Sequence, residues 1–168
     1  MIRLIVLTAS ISILGSCGQY KKIKLEKVIF HTTACMGSCP AYHAQIDSTR
    51  TLLLYSEYVD KTPDINTDLN NPDTTRMGYF TGRVSDRQYS DLIKELENVG
   101  LDNLNFDGRD CCDGSTKTII IYYNGKRKFL KSMFPTREAN KLISQLRYMV
   151  ESNMTQRTNQ KFDIEDSE

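Results

Sequence analysis

The sequence predicts an α+β fold: a two-layer sandwich in which a mostly antiparallel sheet of about five to six strands carries two helices on one face. Three observations lead there. Short β-branched and aromatic runs come in pairs separated by turn residues, as hairpins require. Two segments, one opening at Ser85 and one at Pro135, place apolar residues at helical spacing. The order is strands, helix, strands, helix, and helices with a single apolar stripe are best satisfied on one face of an antiparallel sheet.

Lys27 to Thr33, with Val28, Ile29, Phe30, Thr32 and Thr33, reads as the first strand. Cys35-Met-Gly-Ser-Cys39-Pro is a turn, with Gly37 free to take positive φ. A second strand runs from Tyr42 to Ile46, where Tyr42, Ala44 and Ile46 alternate. Asp47-Ser-Thr-Arg50 is a tight connection to a third strand, Leu52 to Val59. Residues 60–76 hold Asp, Asn, Thr and two of the four prolines without periodicity, a loop long enough to be functional or mobile. Met77 to Gly82 is a short strand.

Ser85-Asp-Arg-Gln88 is a capping box: the Ser85 hydroxyl accepts from the Gln88 amide and the Gln88 side chain reaches back. Tyr89, Leu92, Ile93, Leu96 and Val99 follow at helical spacing, and Gly100 closes the helix. Lys117 to Tyr123 and Arg127 to Ser132 flank Asn124-Gly125, the strongest hairpin signal in the chain. Pro135-Thr136 starts a second helix with Ala139, Leu142, Ile143, Leu146, Met149 and Val150 on one face. From Ser152 to Glu168 the chain is polar and ends acidic, the composition of a disordered tail.

The compartment is written in the first seventeen residues. Arg3 supplies a positive charge, and Leu4 to Leu14 is an apolar run shorter than the roughly 20 residues a bilayer span needs. Gly15 and Ser16 are the small residues of a cleavage site. Leu14-Gly-Ser-Cys17 resembles the lipobox of bacterial lipoproteins. That resemblance implies cleavage before Cys17, a thioether-linked diacylglycerol on its sulfur and an acylated amino group. The expected organisation is a signal peptide over 1–16, a lipidated cysteine and tether over 17–26, one domain over 27–151 and the tail over 152–168. The expected location is the outer membrane, lipid-anchored and facing the periplasm.

Cleavage leaves 152 of 168 residues, the size of a single domain. Losing Arg3 takes the formal charge from +1 to zero. A neutral chain with scattered charges offers no electrostatic footprint for nucleic acid. Its small basic groups are Lys126-Arg-Lys128 at a turn tip and Lys21, Lys22 and Lys24 just after the anchor. The expected partners are the membrane, through the lipid, and a protein or polymer of the cell envelope.

With Cys17 lipidated, five cysteines become four: Cys35, Cys39, Cys111 and Cys112, in a compartment that permits disulfides. Three pairings are open. A Cys35–Cys39 bond closes a tiny loop worth about 2 kcal/mol, whereas a bond from either to Cys111 or Cys112 closes roughly seventy residues or more, worth about 4 to 5 kcal/mol. Stability alone therefore favours a staple between the two cysteine groups. A short Cys35–Cys39 bridge is the more easily reduced, which is the redox alternative.

His31, Cys35, Cys39 and His43 recur every fourth residue, a spacing that invites a zinc or copper site. In a hairpin centred on Gly37, however, Cys35 faces Cys39 and His31 faces His43, and the two pairs lie about 13 Å apart. Ligands at about 2.0 to 2.3 Å from one ion cannot come from both. Thioredoxin-type chemistry wants Cys-x-x-Cys opening a helix, but here three residues separate the cysteines and a proline and strand follow. Asp107, Asp110 and Asp113 sit at three-residue spacing, unlike the alternate ligands of an EF-hand loop. Two Asp-Gly pairs in that stretch read as turns. The sequence contains no phosphate-binding glycine loop and no His-Glu-x-x-His. No catalytic residue, metal ligand or cofactor is assigned.

Cys35-Met-Gly-Ser-Cys39-Pro-Ala-Tyr42 resembles the Cys-Phe-Gly-x-Cys-Pro-x-Tyr hallmark of an uncharacterised bacterial domain family, a domain of unknown function, with Met36 in place of the usual Phe. The resemblance runs over Lys27 to Glu151 and includes Gly82 before the capped helix and Asp113 ahead of a Thr-Ile-rich strand. It implies the identity of the domain and transfers no catalytic residues. The leading expectation is a membrane-anchored, non-enzymatic binding or envelope-structural module. Its candidate binding surface comprises Met36, Gly37, Pro40, Tyr42, Asp110 and Asp113, with the 60–76 loop beside them. The alternative is a periplasmic thiol–disulfide or soft-metal protein working through Cys35 and Cys39; a hydrolase using carboxylates of the 107–113 loop is a further rival.

Overall fold

The computed structural model describes residues 22–35, 39–58, 77–106, 108, 113–153 and 156–165. The leader with Cys17, Met36, Gly37, the 60–76 loop, Asp107, Asp110, Cys111 and Cys112 lie outside the described residues.

Within them, seven strands form one sheet: β1 (Leu25–Thr32), β2 (Ala41–Asp47), β3 (Thr51–Tyr58), β4 (Gly78–Arg83), β5 (Lys117–Tyr123), β6 (Lys126–Ser132) and β7 (Gln156–Arg157). Their order is β6-β5-β1-β2-β3-β4-β7, and every neighbouring pair is antiparallel. Helix α1 (Asp86–Asn98) carries the chain from β4 to β5, and α2 (Asn140–Ser152) from β6 to β7. The α+β class stands, with seven strands against the five to six expected. The additional strand, β7, comes from the segment whose composition reads as a disordered tail.

The turns follow from the residues that make them. β1 and β2 pair with His31 opposite His43 and Thr32 opposite Tyr42, the register that a turn centred on Gly37 imposes. Between β5 and β6, Asn124 (φ 51°) and Gly125 (φ 71°) both occupy the left-handed region, as a two-residue hairpin matching the strand twist requires.

Alternation along the strands builds the core on one side. Val28 and Phe30, Tyr42, Ala44 and Ile46, Leu52 and Leu54, and Ile119 and Ile121 join Leu92 and Leu96 of α1 and Leu142, Leu146 and Met149 of α2 in a single apolar cluster. The capping box of α1 is formed, with Gln88 N donating to Ser85 Oγ (3.3 Å) and Ser85 N to Gln88 Oε1 (3.1 Å). Helix α2 starts differently from the expectation. Thr136 makes no side-chain cap, and the chain first winds as a three-ten turn over Arg137–Ala139. Glu95 of α1 is buried, and the Lys141 ammonium of α2 lies 2.7 Å from its Oε2, so the two helices are joined by an ion pair whose carboxylate is withdrawn from water.

Residues 22–26, expected as the end of a tether, are placed against the domain. Ile23 N donates to Glu97 Oε1 (3.2 Å) and Lys24 N to Asn124 Oδ1 (2.9 Å), while Asn124 N returns a bond to Lys24 O (3.1 Å). Residues 22–24 therefore dock on the domain, and Leu25 and Glu26 already belong to β1.

Leu96 is fully buried, so Leu96→Ala is expected to lower the free energy of unfolding by about 3 kcal/mol. Ser85→Ala, which removes only the cap, is expected to cost about 1 kcal/mol. Urea titration followed by far-UV circular dichroism checks both; equal costs for the two variants contradict the packing described.

Candidate functional site

Three segments singled out in the sequence converge on one end of the sheet. β1 ends at Thr32 and β2 begins at Ala41, so the cysteine turn lies there. β3 ends at Tyr58, opposite Ala41, and β4 starts at Gly78, opposite Ser56, which places both attachment points of the 60–76 loop at the same end. β5 begins at Lys117 opposite Thr32, bringing Asp113, Gly114, Ser115 and Thr116 alongside. Thr33 N donates to Thr116 O (3.1 Å) and Thr116 N to Thr33 Oγ1 (2.9 Å), stitching this lead-in to the base of the turn. Thr32 Oγ1 donates to Pro40 O (2.7 Å) across the same base.

Cys35 and Cys39 are joined by a disulfide, their Cα atoms 5.4 Å apart. This corrects the expected staple to Cys111 or Cys112. Loop entropy ranks cross-links in the unfolded chain, whereas in the folded chain the β1–β2 register holds Cys35 and Cys39 face to face, within the Cα spacing a disulfide needs. Both are half-buried and lead through Pro40 into a strand rather than a helix, so no helix dipole acts on either sulfur.

Tyr42 does not reach the surface. It is 3% exposed, packs edge-on against Phe30 with ring centroids 5.8 Å apart, and belongs to the core. Burial raises the pKa of its phenol, Arg147 opposes that rise and Glu151 adds to it. Tyr42 therefore leaves the candidate binding surface; Pro40 and Asp113 remain, half-buried and exposed respectively. Lys117 sits at the same end with Nζ donating to Ser115 O (2.7 Å), and burial, aided by the Arg147 charge, lowers its pKa.

A second constellation lies on the sheet face turned away from the helices. Thr118, His31, His43, Tyr55 and Tyr79 stand in consecutive register across β5, β1, β2, β3 and β4. The Nδ1 atoms of His31 and His43 are 3.2 Å apart, within hydrogen-bond distance. The Tyr55 and Tyr79 rings lie 4.7 Å apart. Among the described residues no group of three or more His, Cys, Asp or Glu gathers as a metal cluster.

This row is covered from an unexpected source. After β7 the chain turns onto the face, Thr158 N bonds Tyr79 O (2.9 Å), and Phe162 sets its ring 5.7 Å from Tyr79, edge-on, and 6.3 Å from His43. Glu165 then reaches the other half of the sheet. Its carboxylate accepts from Tyr122 Oη, from Lys27 Nζ (3.3 Å) and from Arg127 Nε and Nη2 (3.2 Å each). The Lys27 ammonium also sits over the Tyr122 ring, 4.6 Å from its centroid. Burial pushes the Glu165 pKa up, but the bonds from Tyr122, Lys27 and Arg127 outweigh it and hold the carboxyl below its usual range. Sequence reasoning missed Phe162, Glu165 and their partners. The available signal was the aromatic and histidine content of alternate positions on a face expected to meet water: His31, His43, Tyr55 and Tyr79.

A depressed carboxyl pKa makes the docked segment more stable above the unfolded value near 4.5, and that stability is lost as pH falls through the lower folded value. Amide exchange at Thr158 is therefore expected to quicken about tenfold between pH 5 and pH 3 beyond its intrinsic pH dependence, consistent with about 1 to 2 kcal/mol from charge-assisted bonds. In Glu165→Gln the exchange is expected to be fast throughout. Unchanged protection in that variant contradicts the clamp.

No curated protein matches the chain. The model of the family described as a domain of unknown function (DUF6438) matches residues 26–152, from the second residue of β1 to the last of α2, and the chain belongs to that family.

Proposed function

We propose that this chain is a lipid-anchored, non-enzymatic binding or envelope-structural module of the outer membrane, held at Cys17 and facing the periplasm. It presents the disulfide-closed turn and the loops around it to an envelope protein or polymer. The observation that carries this reading is polarity of the fold along β1. The chain enters the domain at residues 22–24, beside the Asn124–Gly125 turn, and the Cys35–Cys39 turn lies past the opposite end of an eight-residue strand. At about 3.3 Å per residue that strand separates the two ends by about 26 Å. Residues 17–21 reach at most about 17 Å when extended. An anchor at Cys17 therefore keeps the Asn124–Gly125 end near the lipid, where Lys22, Lys24, Lys126 and Lys128 suit anionic head groups. The end of the sheet marked by Thr32, Ala41, Tyr58, Gly78 and Lys117 then lies away from the lipid. No described helix is long and apolar enough to cross a membrane, so attachment in this reading falls to the lipid.

The Cys35–Cys39 bond supports a second reading, thiol–disulfide exchange with an envelope partner. Its closed loop is short, and breaking it forfeits only about 2 kcal/mol of loop entropy. The soft-metal version requires both sulfurs as free thiolates, and therefore requires reduction first.

Expression of the full precursor in a bacterial host is expected to place the native chain in the membrane fraction, with a diacylglyceryl-modified Cys17 at its amino terminus by mass spectrometry. Cys17→Ser is expected to leave it unacylated and released from the membrane. An unmodified Cys17 in the native protein rejects the anchor. Equilibration of the purified protein in thiol buffers separates the two readings: a midpoint below about −300 mV fits a structural bond, and one near −200 mV assigns the turn to exchange chemistry.

A further inference from the structure

We propose that the helix-free face of the sheet is a binding site for an extended peptide, and that residues 156–165 of this chain fill it in cis. The ligand class is a polypeptide segment that adds a short strand to the β4 edge, then presents an aromatic side chain followed three residues later by a carboxylate.

The resident segment displays those features in order. Gln156 and Arg157 extend the sheet, paired with Thr81 and Phe80, as in recognition by strand addition. The Thr158 amide adds one more main-chain bond, to Tyr79 O. Phe162 then enters the aromatic slot between Tyr79 and His43, and Glu165 enters the Lys27, Tyr122 and Arg127 clamp. Main-chain pairing supplies affinity without selectivity, and the slot and clamp supply the selectivity.

Three observations mark the segment as a ligand rather than part of the domain. The family match ends at residue 152, ahead of the segment. The apolar cluster that joins sheet and helices draws on nothing beyond Val150. The segment's own grip is slight: both β7 residues are exposed, Phe162 is half-buried, and the Glu165 side chain keeps 29% of its surface in water. Such a weak ligand stays bound because covalent linkage gives it an effective concentration on the order of millimolar. With the segment in place, the face beneath is withdrawn from water. His43 is 2% exposed, and Ile29 and Ile120, neither of them in the helix-side cluster, are fully buried.

The test uses the full chain carrying Phe162→Ala and Glu165→Gln, and a fluorescein-labelled peptide of residues 154–168 as the probe. Fluorescence anisotropy is expected to show the double variant binding the peptide at least tenfold more tightly than the native chain, whose own segment competes. A peptide carrying F162A and E165Q is expected to bind at least tenfold more weakly than the unaltered one. Circular dichroism and an intact Cys35–Cys39 bond establish that the variant is folded. Should the double variant unfold, Glu165→Gln alone replaces it, with the same ordering expected. A folded variant that ignores the peptide, takes a scrambled peptide equally well, or forms dimers without taking the peptide overturns the proposal. The assay is done in solution on unlipidated protein, so its outcome is independent of the anchor at Cys17.

Discussion

The structure depends on β1 being hydrogen-bonded along both edges. It pairs with β2 on one side and β5 on the other, and its residues are needed on both faces: Val28 and Phe30 in the helix-side core, Ile29 fully buried opposite. A strand in that position tolerates no slip. Moving it by one residue would send Phe30 toward the strapped face and His31 into the apolar core, where an imidazole without a partner costs several kilocalories per mole. The register is pinned twice, by the disulfide-closed turn into β2 and by the two hydrogen bonds between Thr33 and Thr116, one main-chain and one to the Thr33 hydroxyl. The cysteine motif thus does more than close a five-residue loop. It sets which side of the central strand meets the helices, and everything on both faces follows from that choice.

Much of this was legible in local sequence, because the relevant interactions are themselves local. The Asn124-Gly125 turn, the Ser85–Gln88 box and the facing of His31 with His43 each involve residues that are near neighbours or are symmetrically disposed about a turn. Their physics needs no knowledge of the rest of the chain. The start of α2 is later than Pro135-Thr136 implies: the chain first winds as a three-ten turn over Arg137–Ala139, and the α-helix begins at Asn140.

The failures share a different cause. The preferred staple between distant cysteines came from an unfolded-state argument, which ranks cross-links by loop length and is blind to which pair the native hairpin brings together. The tail from Ser152 was read by composition, and its average polarity does indicate weak local order. Its placement rests on the β7–β4 pairing and on two side chains, Phe162 and Glu165, whose partners are distributed over β1, β2, β4, β5 and β6. No short window of sequence contains both a ligand and its receptor when they lie between 38 and 138 residues apart. Tyr42 was misplaced for a related reason. Its position in a conspicuous motif drew attention to function, while its even-numbered place on β2, beside Ala44 and Ile46 in alternation, assigned it to the core.

The two faces of the sheet express different kinds of stability, and this distinction bears on function. The helix side is continuous apolar packing, which is strong, non-directional and lost cooperatively with the fold. Among the described residues, the segment on the other side is held by the Phe162 ring against Tyr79 and His43, by the Glu165 clamp and by main-chain bonds of residues 156–158, directional interactions of about 1 to 2 kcal/mol each that can be made and broken without disturbing the core. A surface built this way is suited to exchange, because replacing one segment by another of the same chemistry alters neither the register of β1 nor the packing of α1 and α2. The cysteine turn has the opposite character: it is closed covalently, and its base is bonded from Thr32 to Pro40 and from Thr33 to Thr116. Covalent closure at one end and separable, directional contacts on one face are distinct properties of this domain, and the chain places them on different parts of β1.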